Sequence, residues 1–131
     1  ISTLLIEPGV DLVIEAGVES IRSKSVALSE KFLFEVRQTL LTLGFEIASP
    51  LDEKNRGSHV SLSHSSALAI GQSLINEQST IPDVRPPDLV RFGFAPLYTT
   101  FSEVEECVNR IKTVIEGGGV SRWENSNPLV P

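Results

Sequence analysis

The longest apolar periodicity in the chain runs from Val18 to Leu43, and it dictates a layered fold. Val18, Ile21, Leu28, Phe32, Val36, Leu40 and Leu43 recur at helical spacing. Arg22, Lys24, Glu30, Lys31, Glu35 and Arg37 fall mostly off that stripe. The spacing predicts one amphipathic helix of roughly seven turns, with Gly44 at its C-terminal cap. Such a helix needs a broad surface on which to bury its apolar face. The chain has 131 residues, enough for one domain, and its 40% hydrophobic content can fill a modest core.

Short strands supply the surface. Phe45 to Ala48 reads as a strand and Ser49 to Gly57 as a polar loop. Ser58 to His64 alternates, with Val60 and Leu62 inward and His59, Ser61 and Ser63 outward. Ser65 or Ser66 caps a helix to Asn76, with Leu68, Ala69, Gly71 and Ile75 packed inward. Thr80 to Arg85 is a third strand, and Pro82 assigns it to an edge. Leu89 to Phe94 is a fourth. Thr100 with Glu103 and Ser102 with Glu105 compete to start the last helix. Its buried stripe is Val104, Cys107, Val108, Ile111, Val114 and Ile115, and Gly117 to Gly119 stops it. Upstream, Pro8-Gly9 interrupts an apolar arm, and Val10 to Ala16 forms a short helix that Gly17 ends. The expected fold is α+β, a mostly antiparallel sheet of about four strands with helices on one face. Residues 1–9 read as an arm, 10–117 as a small domain, and 118–131 as a loosely held tail.

Composition narrows the function classes. Net charge is −6 and no Lys/Arg cluster occurs, which speaks against nucleic-acid and anionic-membrane partners. No run of 18 apolar residues is present to span a membrane. The single cysteine, Cys107, excludes an internal disulfide and a Cys-based zinc site, and reads as a buried structural thiol. His59 and His64 are five apart on a strand, so they point to opposite faces. Gly117-Gly118-Gly119 lacks the lysine and hydroxyl of a phosphate loop. With no Met and Ile1 in first position, the chain is expected to be cut from a longer protein. No signal peptide is visible, which fits a cytoplasmic location.

One residue breaks the apolar pattern. In Leu89-Val90-Arg91-Phe92-Gly93-Phe94, alternation puts Val90, Phe92 and Phe94 on the core face. Leu89, Arg91 and Gly93 share the other, where Gly93 leaves room beside a guanidinium. For a lone arginine, an ordinary surface position with a loose ion pair is the commoner explanation.

Three blocks tilt that balance. Arg22-Ser23-Lys24-Ser25, then Arg56-Gly57-Ser58-His59-Val60-Ser61-Leu62, then DVRPPDLVRFGFAPLYTTFSEV (83–104) resemble, in order, the C-terminal part of the kynureninases. The last block is the most specific, with its Asp-x-Arg-x-Pro and Arg-Phe-Gly-Phe-x-Pro-Leu-Tyr spacing.

The resemblance implies a pyridoxal-phosphate enzyme of the aminotransferase-like fold. Such an enzyme hydrolyses kynurenine to anthranilate and alanine as a homodimer, in tryptophan catabolism. A large N-terminal domain would hold the cofactor on a lysine, and this chain would be the small domain that closes over the substrate. Arg91 stands where the family has the arginine that pairs with the substrate α-carboxylate. Thr99 stands where many members have Asn, so no catalytic role passes to it. The chain alone would bind no cofactor and would be inactive, and it would self-associate through its Ile1–Ile6 arm. Two alternatives stay open: the small domain of a related desulfurase or aminotransferase, and a free-standing non-catalytic α+β domain.

Overall fold

The computed structural model describes residues 6–124. Its helices are α1 (Glu7–Ala16), α2 (Val18–Thr39), α3 (Ala67–Glu77), α4 (Phe101–Glu116) and α5 (Gly119–Trp123). Its strands are β1 (Glu46–Ile47), β2 (His59–Ser63), β3 (Asp83–Arg85) and β4 (Leu89–Gly93). All pair antiparallel in the order β1-β2-β4-β3. The expected α+β class and the edge position of β3 are both found.

The core lies between the sheet and α2, α3 and α4. Phe32 of α2 sits at its centre, with ring centroids 5.3 Å from Phe92 and 5.1 Å from Phe94. Leu28, Leu33, Val36, Ile70, Leu74, Val108 and Ile111 close over Val60, Leu62 and Val90. Each such side chain contributes about 1.5–3 kcal/mol on full burial. Gly71 is where α3 comes closest to β3, since a Cβ there would meet Val84 Cγ2 at 2.2 Å.

Several boundaries differ from the sequence reading. Helix α2 ends at Thr39, not Leu43; Thr39 Oγ1 donates back to the Glu35 carbonyl at 2.7 Å. The chain then tightens into a 3-10 turn, Leu41–Leu43, which Gly44 closes at φ 90°. Val18, placed on the stripe, is 71% exposed, since α2 buries side chains only from Ser25 onward. In α3 the buried apolar residues are Ala67, Ala69, Ile70, Gly71 and Leu74, so Ala69 and Gly71 are inward as expected, while Leu68 is half-buried and Ile75 exposed. Ser66 is the N-cap, but its side chain makes no cap bond, and its N–H donates to His64 Nδ1 at 3.0 Å. The third strand is only Asp83–Arg85, because buried Pro82 offers no N–H to a ladder.

Both ends were also drawn differently. Helix α1 starts at Glu7, because Pro8 is tolerated in a first turn where no N–H is needed. The assigned arm therefore overlaps α1, and its residues 1–5 lie outside the described residues. The loose tail from 118 contains α5, which packs on α3: Arg122 and Trp123 Nε1 both donate to Glu77. The remainder, 125–131, lies outside the described residues. Thr100 with Glu103 wins the capping competition, with bonds of 3.3 Å from the Glu103 N–H and 2.7 Å from the Thr100 N–H.

Candidate functional site

Strand β4 buries Val90 and Phe92 against the helices and turns Leu89, Arg91 and Gly93 the other way. Register puts Arg91 between Ser61 of β2 and Asp83 of β3. Its side chain is 35% exposed, and Nη2 donates to Asp83 Oδ2. That same oxygen accepts from Arg85 Nε at 3.0 Å, with Arg85 Nη2 also 3.0 Å away in the ion pair. Desolvation pushes the Asp83 carboxyl upward, but the hydrogen bonds from Arg85 and Arg91 prevail and hold it below the usual carboxylate range.

Gly93 does what a residue without a side chain can do there. A Cβ built on it finds no heavy atom within 4 Å. The space beside it is a shallow depression of about 460 Å³, lined by His59, Ile81, Asp83, Arg91 and Gly93. His59 enters because its register partner is Gly93. His64 points elsewhere, with its ring 4.7 Å from that of Phe45. The two histidines therefore diverge, as their spacing predicts. Chemically, the depression offers a guanidinium, an imidazole and one carboxylate already engaged by two arginines. It suits a small anion better than a cation.

A second polar node escaped the sequence reading. Arg56, placed at the end of a polar loop and at the start of the second family-like block but given no role, has a side chain just 2% exposed. Its Nη1 donates to the carbonyls of Pro50 at 2.9 Å and Leu51 at 3.0 Å. Its Nη2 donates to Ser29 Oγ at 3.2 Å and to Glu30. Arg22 Nη1 in turn donates to the Arg56 carbonyl at 3.1 Å, and the hydroxyls of Ser25 and Ser58 meet at 2.8 Å. The first two family-like blocks thus dock on one another. Arg22 and Ser25, three apart on one helix face, were the available signal.

Cys107 is partly rather than fully buried: it packs against the core, and burial pushes its thiol up to about 12. Among the described residues, no three His, Cys, Asp or Glu side chains group to hold a metal ion. No helix among them is long and apolar enough to cross a membrane.

Comparison with known proteins bears on the whole segment. A family model described as "Kynureninase C-terminal domain" matches residues 21–111. A kynureninase of Geobacillus thermodenitrificans is 37% identical over 116 residues, and one of Pseudomonas fluorescens is 36% identical over 115. One of Bacillus anthracis is 34% identical over 116 residues. Each comparison covers 88% of this chain and 27% of the relative. The matched span takes in the Arg56 node, the sheet and the Arg91 depression, and on that match the chain belongs to the kynureninase C-terminal domain family.

Proposed function

We propose that this chain is the small domain of a pyridoxal-phosphate-dependent kynureninase, and that Arg91 binds the α-carboxylate of the substrate. One observation carries the reading: a half-exposed arginine on an otherwise core-forming strand, facing a depression that Gly93 keeps open. A carboxylate is planar and takes two parallel hydrogen bonds best from a guanidinium. Holding the substrate by that group fixes which of its bonds is aligned for cleavage.

The cofactor does not fit this chain by itself. Lys31 is paired with Glu35 and Glu105, and Lys112 with Glu116. Lys54 lies in the 3-10 turn Glu53–Asn55, and Lys24 is on α2. None of the four lines the Arg91 depression. Under this reading the Schiff-base lysine and the phosphate ligands come from the remaining part of the enzyme, since this chain spans 27% of its relatives. The same reading makes the enzyme a cytoplasmic homodimer.

Helix α1 supports a covering partner. It buries no residue of its own, and Val10, Leu12, Val13 and Ile14 are exposed. With Leu97 and Tyr98, Leu12 and Ala16 line an open hollow of about 540 Å³. An apolar surface of this kind marks an interface, and the large domain or second subunit is the assigned occupant.

The test is kinetic. In the full-length enzyme, Arg91→Ala is expected to lose about 2–4 kcal/mol of transition-state binding for kynurenine, followed by anthranilate fluorescence. Arg91→Lys keeps the charge but not the fork, and is expected to be impaired as well. An Arg91→Ala enzyme with unchanged kcat/KM would sink the assignment.

A further inference from the structure

We propose that Asp83 is a positioning residue that aims the Arg91 fork, not simply a counter-ion that neutralises it. The inference deepens the carboxylate-clamp reading and rests on it. Its starting point is register: Asp83 of β3 lies directly opposite Arg91 of β4, on the open face. Asp83 engages Arg91 through Nη2 only; Nε and Nη1 bond to nothing among the described residues. A guanidinium carries five N–H donors in a planar fork. One contact at Nη2 therefore holds the plane and still leaves one complete two-donor edge for an incoming carboxylate.

Without Asp83 little else restrains the side chain. The neighbouring position on the same face is Gly93, where the space is empty. A free arginine there has many rotamers, and ordering it on binding costs affinity. Asp83 is itself held: Arg85, two residues on and on the same strand face, donates from Nε to the same Oδ2 and keeps Nη2 3.0 Å from it in the ion pair. Arg85 thus keeps Asp83 in place when Arg91 turns its other donors to a ligand. The three groups sum to one positive charge, which a substrate carboxylate complements.

The two possible roles for Asp83 predict opposite signs. As a mere counter-ion it competes with the substrate, so removing its charge strengthens the pull on a carboxylate. As a positioning residue it pre-orders the fork, so removing its charge weakens binding. The experiment compares Asp83→Asn, Asp83→Glu, Arg85→Gln and Arg91→Ala in the full-length enzyme with kynurenine. Asp83→Asn is expected to raise KM about tenfold and leave kcat within about twofold. Asp83→Glu keeps the charge and is expected to recover part of that loss. Arg85→Gln is expected to raise KM by a smaller factor, in the same direction. Asp83 is half-exposed on an edge strand, so only a small fall in melting temperature, from the lost pairing with Arg85 and Arg91, is expected for Asp83→Asn, too small to account for the KM change. A KM that falls or stays level in Asp83→Asn overturns the inference. If Arg91→Ala is impaired in that same series, the clamp stands and only the role of Asp83 fails. If Arg91→Ala is unimpaired, the clamp reading itself fails.

Discussion

The node around Arg56 and the strand face around Arg91 use the same side chain in opposite ways. The Arg56 side chain is 2% exposed and serves two backbone carbonyls, a hydroxyl and a carboxylate. The Arg91 side chain is 35% exposed and serves one carboxylate oxygen. An arginine whose two terminal nitrogens are both engaged by the fold is a brace. One with donors to spare above an open depression has capacity for a ligand. The difference predicts a double dissociation: changes at the first site move stability, and changes at the second move substrate binding.

The strongest test of the brace is Arg56→Ala. Glu30 is 46% exposed and can return to water once its partner is gone. The cost then comes chiefly from the Pro50 and Leu51 carbonyls and Ser29 Oγ, left without their donor, and from the lost packing of the side chain. We expect a loss of about 2–4 kcal/mol, read by chemical denaturation. A variant as stable as the parent chain would break the comparison, because Arg56 would then be no more structural than Arg91.

The contrast also shows what could be read from residues alone. Arg91 stands out because a charged residue interrupts a two-residue alternation, and alternation is a local property. The layers, the edge position of β3 and the Thr100 cap follow from equally local patterns. Arg56 could not be found that way. Its partners lie in α2 and in its own loop, and long-range contacts such as Arg22 on the Arg56 carbonyl and Ser25 on Ser58 bring them together. In α3 the sequence reading has Ala69 and Gly71 inward, as found, but Leu68 and Ile75 take the place of Ala67, Ile70 and Leu74. The close approach of Val84 leaves room only for a glycine at position 71. The α5 packing was missed because one glutamate, Glu77, organises it from 45 residues away.

A smaller effect sharpens the same line. Thr100 begins α4, just past the strand that carries Arg91, and its side chain and Glu103 satisfy two donors at the helix start. Thr100→Ala is expected to cost about 1 kcal/mol of stability. Substrate KM in the full-length enzyme should not change. A shifted KM with unchanged stability would place Thr100 with the open face and blur the division.

The smallest effect is confined to acid and concerns α5. Hydrogen bonds from Arg122, then from Trp123, hold the Glu77 carboxyl down from 4.5 to about 2. The sign follows from linkage: the folded state binds the proton less readily than the unfolded chain does. The stabilisation is therefore fully present above the ordinary value of 4.5, and is lost as pH falls toward about 2. Asp83 and Glu103 are held low as well, so the parent chain loses stability in acid for more than one reason. Comparing Glu77→Gln with the parent chain isolates one of them. Melting temperatures should differ most at neutral pH and converge as the pH approaches 2. If Glu77 braces as Arg56 does, that convergence occurs with no change in substrate KM at neutral pH. Curves that stay parallel throughout the acid range would show that the α5 clasp contributes nothing through this carboxylate, and would remove it from the bracing side of the molecule.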